Sequence, residues 1–131
     1  MATQREVARF GPMAPFVPNA VKVGDTIYLS GMVSIDERGR ALAEGDLHGQ
    51  CRHAYGHVRM TLEHFGATMA DIVDETVFVT DIATTMREME ELWRVRKEAY
   101  GCEPQAAQAV VEVRSLASPK FLIEIKCVAV V

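Results

Sequence analysis

The sequence predicts an α+β domain in which two helices cover one face of a sheet of five or six strands, in the order β-β-β-α-β-α-β-β. Three observations carry this. Several short segments are rich in β-formers or alternate with period two, two longer ones repeat apolar residues at helical spacing, and turns containing glycine fall between them.

Residues 20–23 and 26–29 are β-rich runs separated by Gly24-Asp25, which predicts a hairpin. Ser30-Gly31 then leads into a third expected strand, residues 32–35, ended by a turn at 36–39. Beyond the charged, turn-rich stretch 36–46, residues 47–65 place Cys51, Ala54, Tyr55, Val58, Thr61, Leu62 and Phe65 on one helical arc, and Gly66 ends the helix. Residues 74–80 (DETVFVT) alternate as a strand. A second helix is expected over 85–100, with Met89, Leu92, Trp93 and the aliphatic part of Arg96 on its apolar side and Gly101 as its stop. Residues 109–113 and 121–131 complete the sheet, joined by a loop containing Pro119.

A length of 131 residues suits one domain, residues 1–131, with a proper core. The hydrophobic fraction of 49% beside 24% charged residues excludes disorder, and no apolar stretch of membrane-spanning length or leader pattern occurs. A cytoplasmic protein is expected. Three cysteines, Cys51, Cys102 and Cys127, form no CxxC pair, which fits a reducing compartment and argues against a disulfide framework or zinc ribbon. The net charge of −4 and the lack of a basic run make nucleic acid a poor partner.

Two helices cannot cover both faces of such a sheet. In the last strand Phe121, Ile123, Ile125, Cys127 and Ala129 share one face while Leu122, Val128 and Val130 give the other apolar area beside Glu124 and Lys126. An uncovered face of that kind predicts an oligomer; a monomer whose termini fold over it is the alternative.

The segments AVKVGDTIYLSG, GATMADIVDETVFVTDI, VVEVRSL and FLIEIKCVAV, in this order and spacing over residues 17–131, resemble the Rid family, also called YjgF/YER057c/UK114. Its archetypes are reactive enamine/imine deaminases. The resemblance implies a chorismate-mutase-like fold, a homotrimer and ligand clefts between subunits. It also assigns roles. Glu124 matches the family glutamate that orients or activates the attacking water. Gln108 stands where the archetypes carry an arginine that binds the substrate carboxylate, four residues before Glu112. Val110 occupies a position that is cysteine in some archetypes. Ser30 and Gly31 match the first two residues of the family's S-G-Q, with Met32 in place of glutamine, and the family's aromatic aligns with Val17 or, shifted by one, Phe16. Gln108 lacks the charged fork of arginine, so a substrate other than simple 2-imino acids is expected.

The expected function is hydrolysis of a small C=N or enamine-type metabolite at an intersubunit cleft, without a cofactor or metal. Alternatives are a non-catalytic trimer binding a metabolite or partner and, more weakly, a ribonuclease or translation inhibitor. His53, His57 and His64 share a helical arc, but one opposite the apolar arc, so they read as a solvated stripe rather than a metal site. Cys127 reads as core, and no glycine-rich phosphate loop of P-loop or Rossmann spacing is present.

Overall fold

A computed structural model describes residues 4–131. Strands β1 (Arg5–Ala8), β2 (Ala20–Val23) and β3 (Thr26–Leu29) are followed by helix α1 (Leu47–His64), strand β4 (Ile72–Val79), helices α2 (Ile82–Arg87) and α3 (Met89–Tyr100), and strands β5 (Ala107–Glu112) and β6 (Ile123–Val130). They form one six-stranded sheet in the order β1-β2-β3-β6-β4-β5. β4 and β5 run parallel, and every other pairing is antiparallel.

The α+β architecture is as expected, with three local corrections. Residues 32–35 do not form a strand. Met32 exchanges two backbone hydrogen bonds with Ile125, but Ile35 then pairs with Ala41, because Asp36 accepts the Arg38 and Arg40 amide hydrogens and closes a local turn. The third strand of the first group is instead β1, four mostly exposed residues at the sheet edge. The second helix starts earlier than residue 85 and is broken in two. Asp81 caps α2 by accepting the Thr84 amide hydrogen at 3.0 Å, and Glu88, at φ −102° and ψ 12°, separates it from α3.

Helix α1 begins where Asp46 accepts the Gly49 amide hydrogen at 3.0 Å. A side chain at residue 49 would collide with that carboxylate, which explains the glycine within the first turn. At the other end of α3, Gly101 takes the left-handed conformation, φ 71°, that closes the helix.

The core lies between the helices and one face of the sheet. Val58 and Leu62 of α1 and Leu92 and Val95 of α3 pack there with Ile27, Leu29, Val79, Ile123 and Ile125. The opposite face is open. Tyr28 stands beside Val128, and Phe78 stands between Glu124 and Val111, so apolar side chains occupy two separate parts of the uncovered side, with the Thr76–Lys126 pair between them. Tyr28 is 51% exposed and Val130 44%, which is the uncovered area that the alternation in the last strand implied.

Gln50 ties α1 to the start of β6. Fully buried, it donates to the carbonyls of Lys120 (2.9 Å) and Ala43 (3.2 Å) and accepts the Leu122 amide hydrogen (2.8 Å). Gln50→Leu keeps the volume but leaves those backbone groups unpaired. Urea unfolding of this variant should show a loss of about 1–3 kcal/mol at an unchanged m-value; full stability would mean that the freed groups find other partners.

Candidate functional site

Two carboxylates lie on opposite faces of the sheet. Glu124, on the open face of β6, is half-buried, with Phe78 directly across on β4. Its other neighbour is the chain at Gly31, brought alongside β6 by the backbone pairing of Met32 with Ile125. The approach is close enough that a β-carbon on residue 31 would strike the Glu124 carboxylate. Ser30 fixes this corner, since its hydroxyl donates to the Pro18 carbonyl at 2.6 Å and its amide to the Asn19 carbonyl at 2.9 Å. These bonds tie the chain just after Phe16 and Val17 to Ser30, and Phe16 itself is 78% exposed. Burial raises the Glu124 pKa above the ordinary glutamate value, and Lys126 opposes the shift.

The second carboxylate is Glu75 of β4, which faces the helices and is fully buried. It accepts hydrogen bonds from four side chains. Arg96 Nε and Gln108 Nε2 each donate to Oε1 at 2.6 Å, Tyr100 donates to Oε2 at 2.8 Å, and the Tyr55 hydroxyl lies 3.2 Å from both oxygens. Burial and the adjoining negative charge raise both phenol pKa values, so Tyr55 and Tyr100 remain donors. For Arg96, burial opposes the charge but the attraction of Glu75 outweighs it, and the guanidinium is held above its usual pKa. The same surroundings push the Cys51 thiol up to about 12 and raise that of Cys127, both chiefly through burial. Neither buried thiol is therefore a nucleophile at neutral pH.

The residues singled out from the sequence thus fall into two groups. Ser30, Gly31 and Glu124 belong to one corner, joined by the Ser30–Pro18 hydrogen bond to the chain that carries the exposed Phe16 and Val17, whereas Met32 turns inward and is buried in the core. Gln108 and Val110 belong to the other group, on the edge strand β5 facing the helices. No single chain brings Gln108 and Glu124 onto one face. The histidines disperse: His57 Nε2 lies 2.9 Å from the Ile35 carbonyl, and His64 stacks on Phe10 with ring centroids 5.6 Å apart. Among the described residues no group of three or more His, Cys, Asp or Glu could hold a metal, and no helix is long and apolar enough to cross a membrane.

Glu75, Tyr55, Arg96 and Tyr100 were not among the site residues expected from the sequence. A signal for Glu75 was there: in DETVFVT it is in phase with Val77 and Val79, so a charge occupies the inward register of a strand. Replacing Glu75 with leucine would leave the Arg96 cation and three further donors without their acceptor. A loss of about 3–5 kcal/mol is expected in urea unfolding, with a smaller loss for Glu75→Gln, which retains an acceptor oxygen. Equal stability of wild type and Glu75→Leu would show that the network contributes nothing net.

A family model described as endoribonuclease L-PSP matches residues 6–131. A solved Mycobacterium tuberculosis member of the YjgF/YER057c/UK114 family is 27% identical, with a TM-score of 0.79 and coverage of 98% of this chain and 100% of that one. The YjgF gene product of Escherichia coli is 26% identical, with a TM-score of 0.80 over 95% of this chain and 98% of that one. A Pseudomonas aeruginosa protein of unknown function reaches 30% identity and a TM-score of 0.76, covering 98% and 94%. The order of the strands, the glycine packed on the last-strand glutamate and this match over nearly the whole length have one meaning: the chain belongs to the endoribonuclease L-PSP family, the YjgF/UK114 or Rid proteins.

Proposed function

We propose that this protein hydrolyses a small C=N or enamine-type metabolite at clefts between the subunits of a homotrimer, with Glu124 as the proton-transferring group. The observation that carries the reading is Glu124 itself, a half-buried carboxylate on the open face of the sheet, across from Phe78 and seated against a glycine that leaves it room. Ionised Glu124 takes a proton from water as the water oxygen bonds to the C=N carbon. The C=N π pair passes to the nitrogen of the protonated imine, and Glu124 returns its proton to that nitrogen. Ammonia then departs with the C–N bonding pair as the C=O forms and the hydroxyl gives its proton to the departing ammonia, so protonated imine and water give carbonyl compound and ammonium. An enamine enters the same sequence after tautomerising to the imine.

A neighbouring copy that covers the open face with its β5 edge would bring its own Gln108 toward this Glu124. That supports an active site shared between subunits. It also defines what Gln108 offers. Glu75, paired with Arg96, can only accept, so it holds the Gln108 amide nitrogen, and the atom left for a ligand is the carbonyl Oε1. The family arginine donates to a carboxylate, whereas this position accepts from an N–H. The substrate reading is therefore an imine bearing an amide, amine or other N–H group where the archetypal substrate has a carboxylate. The rival reading, binding without turnover, is favoured by the same exchange of arginine for glutamine.

Two measurements test this. Glu124→Ala should abolish ammonia release and Gly31→Ala, which pushes the carboxylate aside, should reduce it at least tenfold, both with assembly intact. Because burial raises the Glu124 pKa, kcat/KM should fall on the acid side at a pH above the ordinary value of about 4.3. The stability sign is the reverse. Glu124 favours the native state below its unfolded pKa, and this is lost as pH rises through the raised native value, so Glu124→Gln should gain on wild type across that window. Turnover that survives Glu124→Ala would remove Glu124 from the mechanism.

The second measurement compares 2-imino acids with their 2-imino amides. Amides should be preferred, and Gln108→Arg alone should yield no 2-imino acid hydrolysis, because Glu75 captures the new guanidinium. Efficient 2-imino acid turnover by the wild type would refute the polarity assigned to position 108.

A further inference from the structure

One surface concavity shares no lining residue with the Glu124 corner. A groove of about 890 Å³ runs between the outer face of α1, the loop after β1 and the turn at residues 36–40. Four arginines line it, Arg52 and Arg59 from α1 and Arg38 and Arg40 from the turn, against two carboxylates, Asp36 and Glu37. The chain as a whole is acidic, so this is a local reversal of sign. The cations are also little neutralised. Asp36 Oδ1 is committed to the Arg38 and Arg40 amides, its other oxygen lies 3.7 Å from Arg40 Nε, and Arg38, Arg52 and Arg59 have no carboxylate partner among the described residues.

Gly56 is an independent pointer. It lies midway between Arg52 and Arg59, which are two turns and about 10 Å apart along the helix. Glycine inside a helix is unfavourable, yet a β-carbon there would meet nothing within 4 Å, so no packing within the chain demands it. What the missing side chain provides is open floor between two unpaired guanidinium groups. Phe10, Met13 and Met60 supply an apolar wall to the same groove.

We infer that this groove binds a small organic phosphate, its phosphoryl group held by Arg52 and Arg59 with Arg38 or Arg40, and its apolar or aromatic body on the Phe10 and Met60 side. Phosphate matches the planar guanidinium fork, and the apolar wall favours an ester over the free ion. The site is separate from the Glu124 corner and does not depend on the proposed hydrolase activity.

Calorimetric titration of the full-length protein with phenyl phosphate, inorganic phosphate and phenol tests it. Phenyl phosphate should bind with a Kd below about 1 mM, inorganic phosphate at least fivefold more weakly, and phenol not measurably. Arg52→Ala and Arg59→Ala should each weaken phenyl phosphate at least tenfold, and Glu124→Ala should leave it unchanged. Gly56→Leu fills the floor: it should abolish binding while the melting temperature stays level or rises, a combination that general damage to the fold cannot produce. Equal binding of phenol and phenyl phosphate, or undiminished binding in the Arg52→Ala/Arg59→Ala double variant, would overturn the inference. So would an RNA oligonucleotide that occupies the groove at concentrations far below those of the monoester, since the site would then serve a polymer.

Discussion

The helix side of the sheet is organised around a carboxylate that water cannot reach. An ionised group in that position survives only if its oxygens are filled by donors, and Glu75 takes them from α1, α3 and β5 at once. The bonds are directional, so they fix more than proximity. They set the rotation of α3, because Arg96 and Tyr100 must both face inward, and Gln108 anchors an edge strand that is largely exposed. Burial, reinforced by the same charge, keeps the neighbouring phenols and thiols protonated, which confines this cluster to binding and positioning rather than nucleophilic chemistry.

With α1 and α3 both committed to that side, the other face of the sheet has no cover of its own. The candidate carboxylate Glu124 lies on that uncovered face. It sits beside Phe78, and its burial disfavours the charge even before a second copy arrives, although Lys126 on the same face opposes the shift. A docked neighbour would remove more water and raise the carboxyl pKa further, so on the proposed function assembly and activation of Glu124 would be one physical event. Gly31 matters for the same reason: it lets the backbone close on Glu124 without displacing it.

Much of the fold was legible because periodicity reports burial. The arc of α1, the alternation of β4 and β6 and the glycine stops placed these elements to within a few residues. β1 escaped notice because four residues with one buried member leave no period to read, and residues 32–35 misled because β-rich composition says nothing about whether a partner strand continues. The interruption at Glu88 was hidden by good helix-formers on both sides. At the site, Glu124 and Gly31 were visible through the family pattern, but Glu75 was not, since its three strongest partners lie 21, 25 and 33 residues away along the chain. Only its phase within DETVFVT betrayed it.

Glutamine at position 108 and glutamate at position 75 are best understood as one feature. Within reach of Glu75, any donor at 108 is drawn toward that carboxylate and away from a ligand. A glutamine satisfies Glu75 with one end and still presents the other. An arginine there would share Oε1 with Arg96, placing two like charges on one buried carboxylate and leaving the incoming fork partly neutralised. On the proposed function, the preference against a carboxylate is therefore built into the buried network that holds Gln108. On that proposal, the ligand preference of this protein is then set by Glu75, a residue without solvent contact, acting through the orientation of the Gln108 amide.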